Sequence, residues 1–121
     1  LSYYHGNSGF WIANDNGSND YMLYGPDLQN AGWKMMAATR TTNGVLQLYI
    51  DGVLYSSRYD GPTGRTYLAG SDPYIGAEYH SINGGYYGEI GLIQAYNRAL
   101  SGPEILNIFN KTKKSYVCNV C

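Results

Sequence analysis

Charge is scarce in this sequence. Only 14% of its 121 residues are Asp, Glu, Lys or Arg, and the formal net charge is −1. A nucleic-acid partner would call for a basic stripe or patch, and the chain has none. Long apolar runs are also missing. No stretch nears the roughly 20 residues that a membrane span needs. The first residues do not read as a signal peptide. The chain opens on Leu1 rather than Met, so the expectation is a processed protein or a piece of a longer one. Histidine is limited to His5 and His80 and cysteine to Cys118 and Cys121. A zinc site on the cysteines would need a second ligand pair, to which only His5 and His80 could contribute. The Cys118-Asn-Val-Cys121 pair has no βα context to depress a thiol pKa, so a structural, inter-chain or incidental role is the leading reading, with a metal or redox role as the alternative.

Phenylalanine and tryptophan number two each, whereas there are 14 tyrosines. So many phenols are hard to satisfy inside one core, so some rings must reach the surface. The length fits one domain, and a chain of this size buries roughly two-thirds of its surface.

Period-two patterning dominates. The segments 9–14 (GFWIAN) and 20–24 (DYMLY) read as strands around the turn formers Asp15-Asn-Gly-Ser-Asn19, a hairpin with a polar tip. The segments 33–40, 45–50 and 53–58 form a three-stranded meander, joined by turns at Asn43-Gly44 and Asp51-Gly52. Asp-Gly between alternating strands is a strong type I′ signal, because both central residues need positive φ. After the Gly- and Pro-rich residues 59–71, Pro73–Ala77 reads as a short strand. The stretch 86–95 alternates with apolar residues on both faces, which predicts a buried central strand. Ser101-Gly-Pro-Glu104 is a capping box with Pro103 in the first turn. It opens a short helix near 102–110 with Ile105, Leu106, Ile108 and Phe109 on one face. Residues 111–116 lead out as an edge strand. The fold class is therefore all-β, an antiparallel β-sandwich with one short C-terminal helix.

Several stretches taken together resemble a known family. They are Trp33 with Ala37-Ala-Thr39, Leu48-Tyr-Ile-Asp-Gly-Val-Leu54, Tyr74-Ile-Gly76, Gly88-Glu-Ile-Gly-Leu-Ile-Gln-Ala-Tyr-Asn-Arg-Ala-Leu-Ser101 and Glu104-Ile105. The series is similar to the laminin-G-like, concanavalin A-like lectin/glucanase domains. The resemblance implies a concanavalin A-like jelly roll of two stacked antiparallel sheets, spanning 1–117, with 118–121 as a tail. Complete members begin with further strands before the one at Gly9. The expectation is thus a fragment or trimmed domain whose first strand comes from a neighbour. The tail Asn110-Lys-Thr-Lys-Lys-Ser-Tyr116 is similar to segments of phage and large-virus structural proteins.

Some members of this fold are glucanases, with an E-I-D-x-x-E motif. Glu89-Ile-Gly91-Leu-Ile-Gln94 falls in the same register. Gly91 replaces the Asp, and Gln94 cannot protonate a leaving group. Retaining chemistry needs two carboxyls about 5–5.5 Å apart on one face. Residues 89 and 94 differ by an odd number and so face opposite ways on a regular strand. No Ser-containing elbow accompanies His5 or His80. The expectation is no catalytic residue and no enzyme, with a degenerate glycoside hydrolase as the third reading.

Function should then lie in loops. Sugar recognition combines aromatic faces with Asn, Asp and backbone groups. Two loop groups have that composition: Tyr59, Asp60 and Arg65, and Tyr79, His80, Asn83, Tyr86 and Tyr87. The alternative is that these tyrosines pack over the ends of the sandwich. Calcium is common in the family the chain resembles. Asn14, Asp15, Asn16 and Asp20 offer hard oxygen ligands for Ca²⁺, although the same residues make an ordinary hairpin tip. The leading expectation is a non-catalytic lectin-like module for carbohydrate binding or adhesion, extracellular or on a virion surface. Its partner would be a glycan or protein surface. The runner-up is a structural domain that uses the same sandwich for homo- or hetero-assembly.

Overall fold

A computed structural model describes residues 2–4, 7–12, 21–59 and 88–116. Their strands form two antiparallel three-stranded sheets. The first sheet comprises β1 (Ser2–Tyr4), β2 (Asn7–Ile12) and β3 (Tyr21–Tyr24). The second comprises β4 (Met36–Arg40), β5 (Val45–Ile50) and β6 (Val53–Tyr59). One helix, α1 (Gly102–Thr112), follows and ends in a 3₁₀ turn, Lys113–Ser115. In both sheets the strand order is the chain order, as the hairpin signals in the sequence require for β2–β3 and for β4–β6. No helix among the described residues is long and apolar enough to cross a membrane.

The β2–β3 hairpin pairs Ile12 with Tyr21 and Gly9 with Tyr24. Both turns of the second sheet are explained by their glycines. At the first, the Gly44 N–H donates to the Thr41 carbonyl at 3.0 Å and Gly44 takes φ 82°. The Thr41 hydroxyl accepts from the Val45 N–H at 3.0 Å. This is a type I turn completed by a left-handed glycine. At the second, Asp51 and Gly52 both have positive φ, 51° and 82°. That is the type I′ geometry expected of Asp-Gly. The Asp51 carboxylate then fastens the entry to β4. It accepts from the Met35 N–H at 3.0 Å and pairs with Lys34 Nζ at 2.6 Å.

Alternation on β5 divides two packing layers. Leu46 and Leu48 are wholly buried and cluster with Leu23 of the first sheet. Met36, Ala38 and Ile50 flank them. The two sheets therefore meet face to face as part of a sandwich. They are also linked where Ser56 Oγ donates to the Tyr24 carbonyl at 3.2 Å. Tyr49 points the other way and is buried too. Gly102, at the start of α1, lies over its ring, so that a Cβ there would stand 3.7 Å from Tyr49 Cε1. On β6, Tyr49 faces Leu54 and Leu48 faces Ser56, leaving Tyr55 as the extra residue of a bulge.

The capping box forms as expected. The Ser101 N–H donates to Glu104 Oε2 at 2.8 Å, and Ile105 is the helix's buried residue.

Three expectations are corrected. Residues 88–96 are not a strand, and Ile90, Leu92 and Ile93 are exposed. A pattern apolar on both faces is stable as a strand only with neighbours to cover both, and no described strand pairs with this one. Instead the Tyr116 ring lies against Gly91, where a Cβ would sit 2.8 Å from Cζ. Gly91 is thus a point of close packing outside the described sheets. Residues 111–116 are the end of α1 and its 3₁₀ turn rather than an edge strand. There the Thr112 hydroxyl donates back to the Ile108 carbonyl at 2.9 Å, holding the last turn helical. Finally, β4 begins at Met36 rather than Trp33. The Trp33 ring is engaged by Tyr116, with centroids 5.0 Å apart. The expected strand Pro73–Ala77 and the tail 118–121 lie outside the described residues.

Candidate functional site

Beside β4, an edge of its sheet among the described strands, the chain opens a groove of about 590 Å³. One wall is residues 38–42, the end of β4 and its turn, and the other is residues 96–99. The volume lies within the roughly 300–1,000 Å³ usual for small-molecule sites.

Each wall is set by local chemistry. Pairing of Ala38 with Leu48 and of Arg40 with Leu46 fixes β4 against the buried β5. The hydrogen bonds of Thr41 to Gly44 and Val45 then fix the turn. On the opposite wall, the Arg98 guanidinium makes a bidentate pair with Glu104, at 3.0 Å and 2.7 Å. This ties residues 96–99 to the first turn of α1. The Glu104 carboxyl is lowered from its ordinary 4.5 to about 2, first by the Arg98 hydrogen bond and then by the Ser101 N–H and hydroxyl. Arg98 is correspondingly pushed up by Glu104. An acidic residue in the first helical turn also suits the helix dipole.

Among the lining residues, Thr39 has a buried hydroxyl with no partner among the described residues. Thr39 is only 7% exposed. Its cross-strand neighbour is Gln47, whose Oε1 instead accepts from the Tyr49 hydroxyl at 3.0 Å. Burial pushes the Tyr49 phenol pKa up, in keeping with a neutral donor there. A buried hydroxyl without a partner carries a desolvation cost and calls for an explanation. The lining also includes Thr41, Thr42 and Asn97, and the two arginines Arg40 and Arg98. The Tyr96 side chain, 49% exposed, supplies an aromatic surface.

Of the residues singled out in the sequence for ligand binding, Tyr59 is the one described. It is exposed at the end of β6 and pairs with Val45, which brings it to the same end of the sheet as Thr41. Asp60, Arg65, Tyr79, His80, Asn83, Tyr86 and Tyr87 lie outside the described residues. So do the candidate calcium ligands Asn14, Asp15, Asn16 and Asp20. Among the described residues, no three His, Cys, Asp or Glu side chains are grouped to hold a metal ion. Glu89 and Gln94, the pair in glucanase register, are both exposed on the irregular segment.

Sequence reasoning missed the groove. Its polar residues, three threonines, an Asn and two Arg, are spread over the end of the expected strand 33–40, the turn after it and the residues beyond the expected strand 86–95. The usable signal was the run Thr39-Arg-Thr-Thr42, four polar residues where a strand passes into its turn.

Comparison with known proteins agrees with this architecture. The family model described as "Laminin_G_3: Concanavalin A-like lectin/glucanases superfamily" matches residues 2–106. No curated protein matches the chain. Among solved structures, the chain is similar to the 2.1 Å crystal structure of an S-layer domain-containing protein (residues 221–444) from Clostridium thermocellum ATCC 27405. The TM-score is 0.59 at 22% identity, covering 86% of this chain and 63% of that one. At that identity the likeness shows a shared fold.

Proposed function

Given that the chain belongs to the laminin-G-type, concanavalin A-like lectin/glucanase superfamily, we propose that it is a non-catalytic lectin-like module for carbohydrate binding or adhesion, on the outside of a cell or a virion. What carries this reading is the family match running from residue 2 to residue 106. Three features support it. The polar groove carries an aromatic side chain at its wall. A glycine and a glutamine occupy the positions where a glucanase of this fold would place carboxylates. The fold is shared with part of an S-layer domain-containing protein. Polysaccharide pull-down and a glycan array test it. Binding to at least one glycan at millimolar ligand or below is the expected result. No binding over that range overturns the sugar-binding reading.

A second reading, an assembly domain, is favoured by β6. Among the described strands it is an edge, and it exposes Val53, Leu54, Tyr55 and Tyr59. An exposed apolar edge is a template for pairing with another chain. Light scattering after size exclusion separates the two readings. A stable oligomer with no glycan affinity, dispersed by Leu54→Lys, favours assembly.

A further inference from the structure

We propose that β6 is a docking edge for a second copy of this chain. The two strands pair antiparallel about a two-fold axis at Ser57, with Tyr55 of each copy opposite Tyr59 of the other. This rests on the assembly reading above, to which it adds the partner and the register.

The ladder decides which backbone groups of β6 point out of the sheet. The Thr41 N–H donates to the Val45 carbonyl and the Asp51 N–H to the Met35 carbonyl, each at 2.9 Å. Along a central antiparallel strand, residues alternate between bonding one neighbour and bonding the other. Val45, Gln47 and Tyr49 therefore bond to β4, and Leu46, Leu48 and Ile50 bond to β6. Their opposites on β6 are Arg58, Ser56 and Val53. Ser57 and Tyr59 are thereby set with their N–H and C=O directed away from β5.

β6 has few of the devices that blunt such an edge. It is seven residues long, the longest of the described strands, and contains neither Lys nor Pro. The bulge at Tyr55 breaks the regular ladder on its N-terminal side, which leaves 55–59 as the stretch available for pairing. The opposite edge, β4, instead faces residues 96–99 across the groove.

What selects a second copy is that Tyr55-Ser-Ser-Arg-Tyr59 is complementary to itself. Reversed about Ser57, it sets serine against serine at the centre and Ser56 against Arg58 on either side. It sets Tyr55 against Tyr59 at both ends. No like charges meet, and cross-strand aromatic pairs stabilise antiparallel strands. One patch pairing with itself is the ordinary geometry of a homodimer. The rings are available, with Tyr55 54% and Tyr59 61% exposed. They alternate with Ser56, whose hydroxyl is turned to Tyr24 of the first sheet, so they stand on the side away from that sheet. A five-residue strand pair is smaller than the standard interface of about 1,600 Å², so the dimer should dissociate on dilution.

Sedimentation velocity of the whole chain over a concentration series tests this. Reducing buffer removes any link through Cys118 or Cys121. A monomer–dimer equilibrium is the expected result. Tyr55→Lys with Tyr59→Lys in one chain sets like charges opposite each other twice, and should weaken the dimer about tenfold or more. Tyr55→Glu with Tyr59→Lys in one chain sets opposite charges at both ends and should keep the dimer. A register with residue 55 opposite residue 55 of the second copy would lose it. If the lysine pair does not fold, the Glu and Lys pair decides alone. A dimer lost in that chain, or one untouched by the lysine pair but dispersed by Leu54→Lys, overturns the register and leaves the assembly reading standing. A chain that stays monomeric up to about 1 mM overturns both.

Discussion

Gly52 lies directly beneath Leu106. A Cβ on the glycine would stand 2.9 Å from Leu106 Cδ1 and 3.0 Å from its Cα. The second of these is a backbone atom that cannot turn aside. The same Cβ would meet Phe109 Cβ at 3.2 Å. The glycine also has φ 82°. Two demands therefore fall on one residue: the type I′ turn needs the left-handed conformation, and helix α1 needs the space. The hairpin turn is the seat of the helix.

Gly32 separates the two demands. It has φ 69° but nothing within 4 Å of its would-be Cβ. Gly32→Ala should cost only the left-handed penalty, about 1–2 kcal/mol. Gly52→Ala should cost that plus about 1–3 kcal/mol of overpacking as the helix shifts. Chemical denaturation of both variants checks this. Equal losses would mean that α1 does not rest on the turn.

The Arg98–Glu104 pair makes a prediction about acid. The Glu104 carboxyl is held at about 2 against an ordinary 4.5, chiefly by its Arg98 hydrogen bond. A depressed folded-state pKa adds stability that is fully present above the unfolded value and is lost as pH falls through the folded one. The contribution should therefore hold above 4.5 and disappear between 4.5 and about 2. Both side chains are solvent-exposed, so the gain is small and screened by salt. A carbon-detected NMR titration reads it directly. In Arg98→Leu the Glu104 midpoint should move up toward 4.5, though not all the way, since the Ser101 bonds remain. A midpoint unmoved by Arg98→Leu would show that Ser101 alone sets it.

The two sheets were legible where one local rule governs. The Asp51-Gly52 turn needs only its own dipeptide, and β5 needs only the alternation of Leu46, Leu48 and Ile50 against Val45, Gln47 and Tyr49. The capping box at Ser101 and Glu104 is likewise complete within four residues. Residues 88–96 failed for the opposite reason. Their pattern describes what two neighbouring layers would have to supply, and no sequence window contains those layers. Tyr116 could not be placed either, because its partners Gly91 and Trp33 are distant in the chain. The groove was hidden in a third way. Its identifying feature is a hydroxyl lacking a partner, and only a three-dimensional account of hydrogen bonds reveals that the Gln47 amide oxygen turns to Tyr49 instead.

The contact of Tyr116 with Gly91 and Trp33 gives the last prediction. Gly91 is not in the left-handed region, so an alanine there meets no backbone penalty. Its Cβ would instead collide with the Tyr116 ring, which is the free end of a side chain and can swing away. Gly91→Ala should therefore break the tilted ring contact of Tyr116 with Trp33, whose centroids are 5.0 Å apart, without unfolding the domain. The cost should be about 0.5–1.5 kcal/mol, the value of an aromatic pair. The chain has two tryptophans, so the measurement is made in a Trp11→Phe background, where Trp33 is the one indole. Near-ultraviolet circular dichroism and fluorescence should both change in Gly91→Ala. Tyr116→Ala should reproduce the same change, because either substitution empties the same face of the Trp33 ring. Spectra unaltered by Gly91→Ala but altered by Tyr116→Ala would mean that the ring does not rest on the glycine, and that the C-terminal turn is anchored by Trp33 alone.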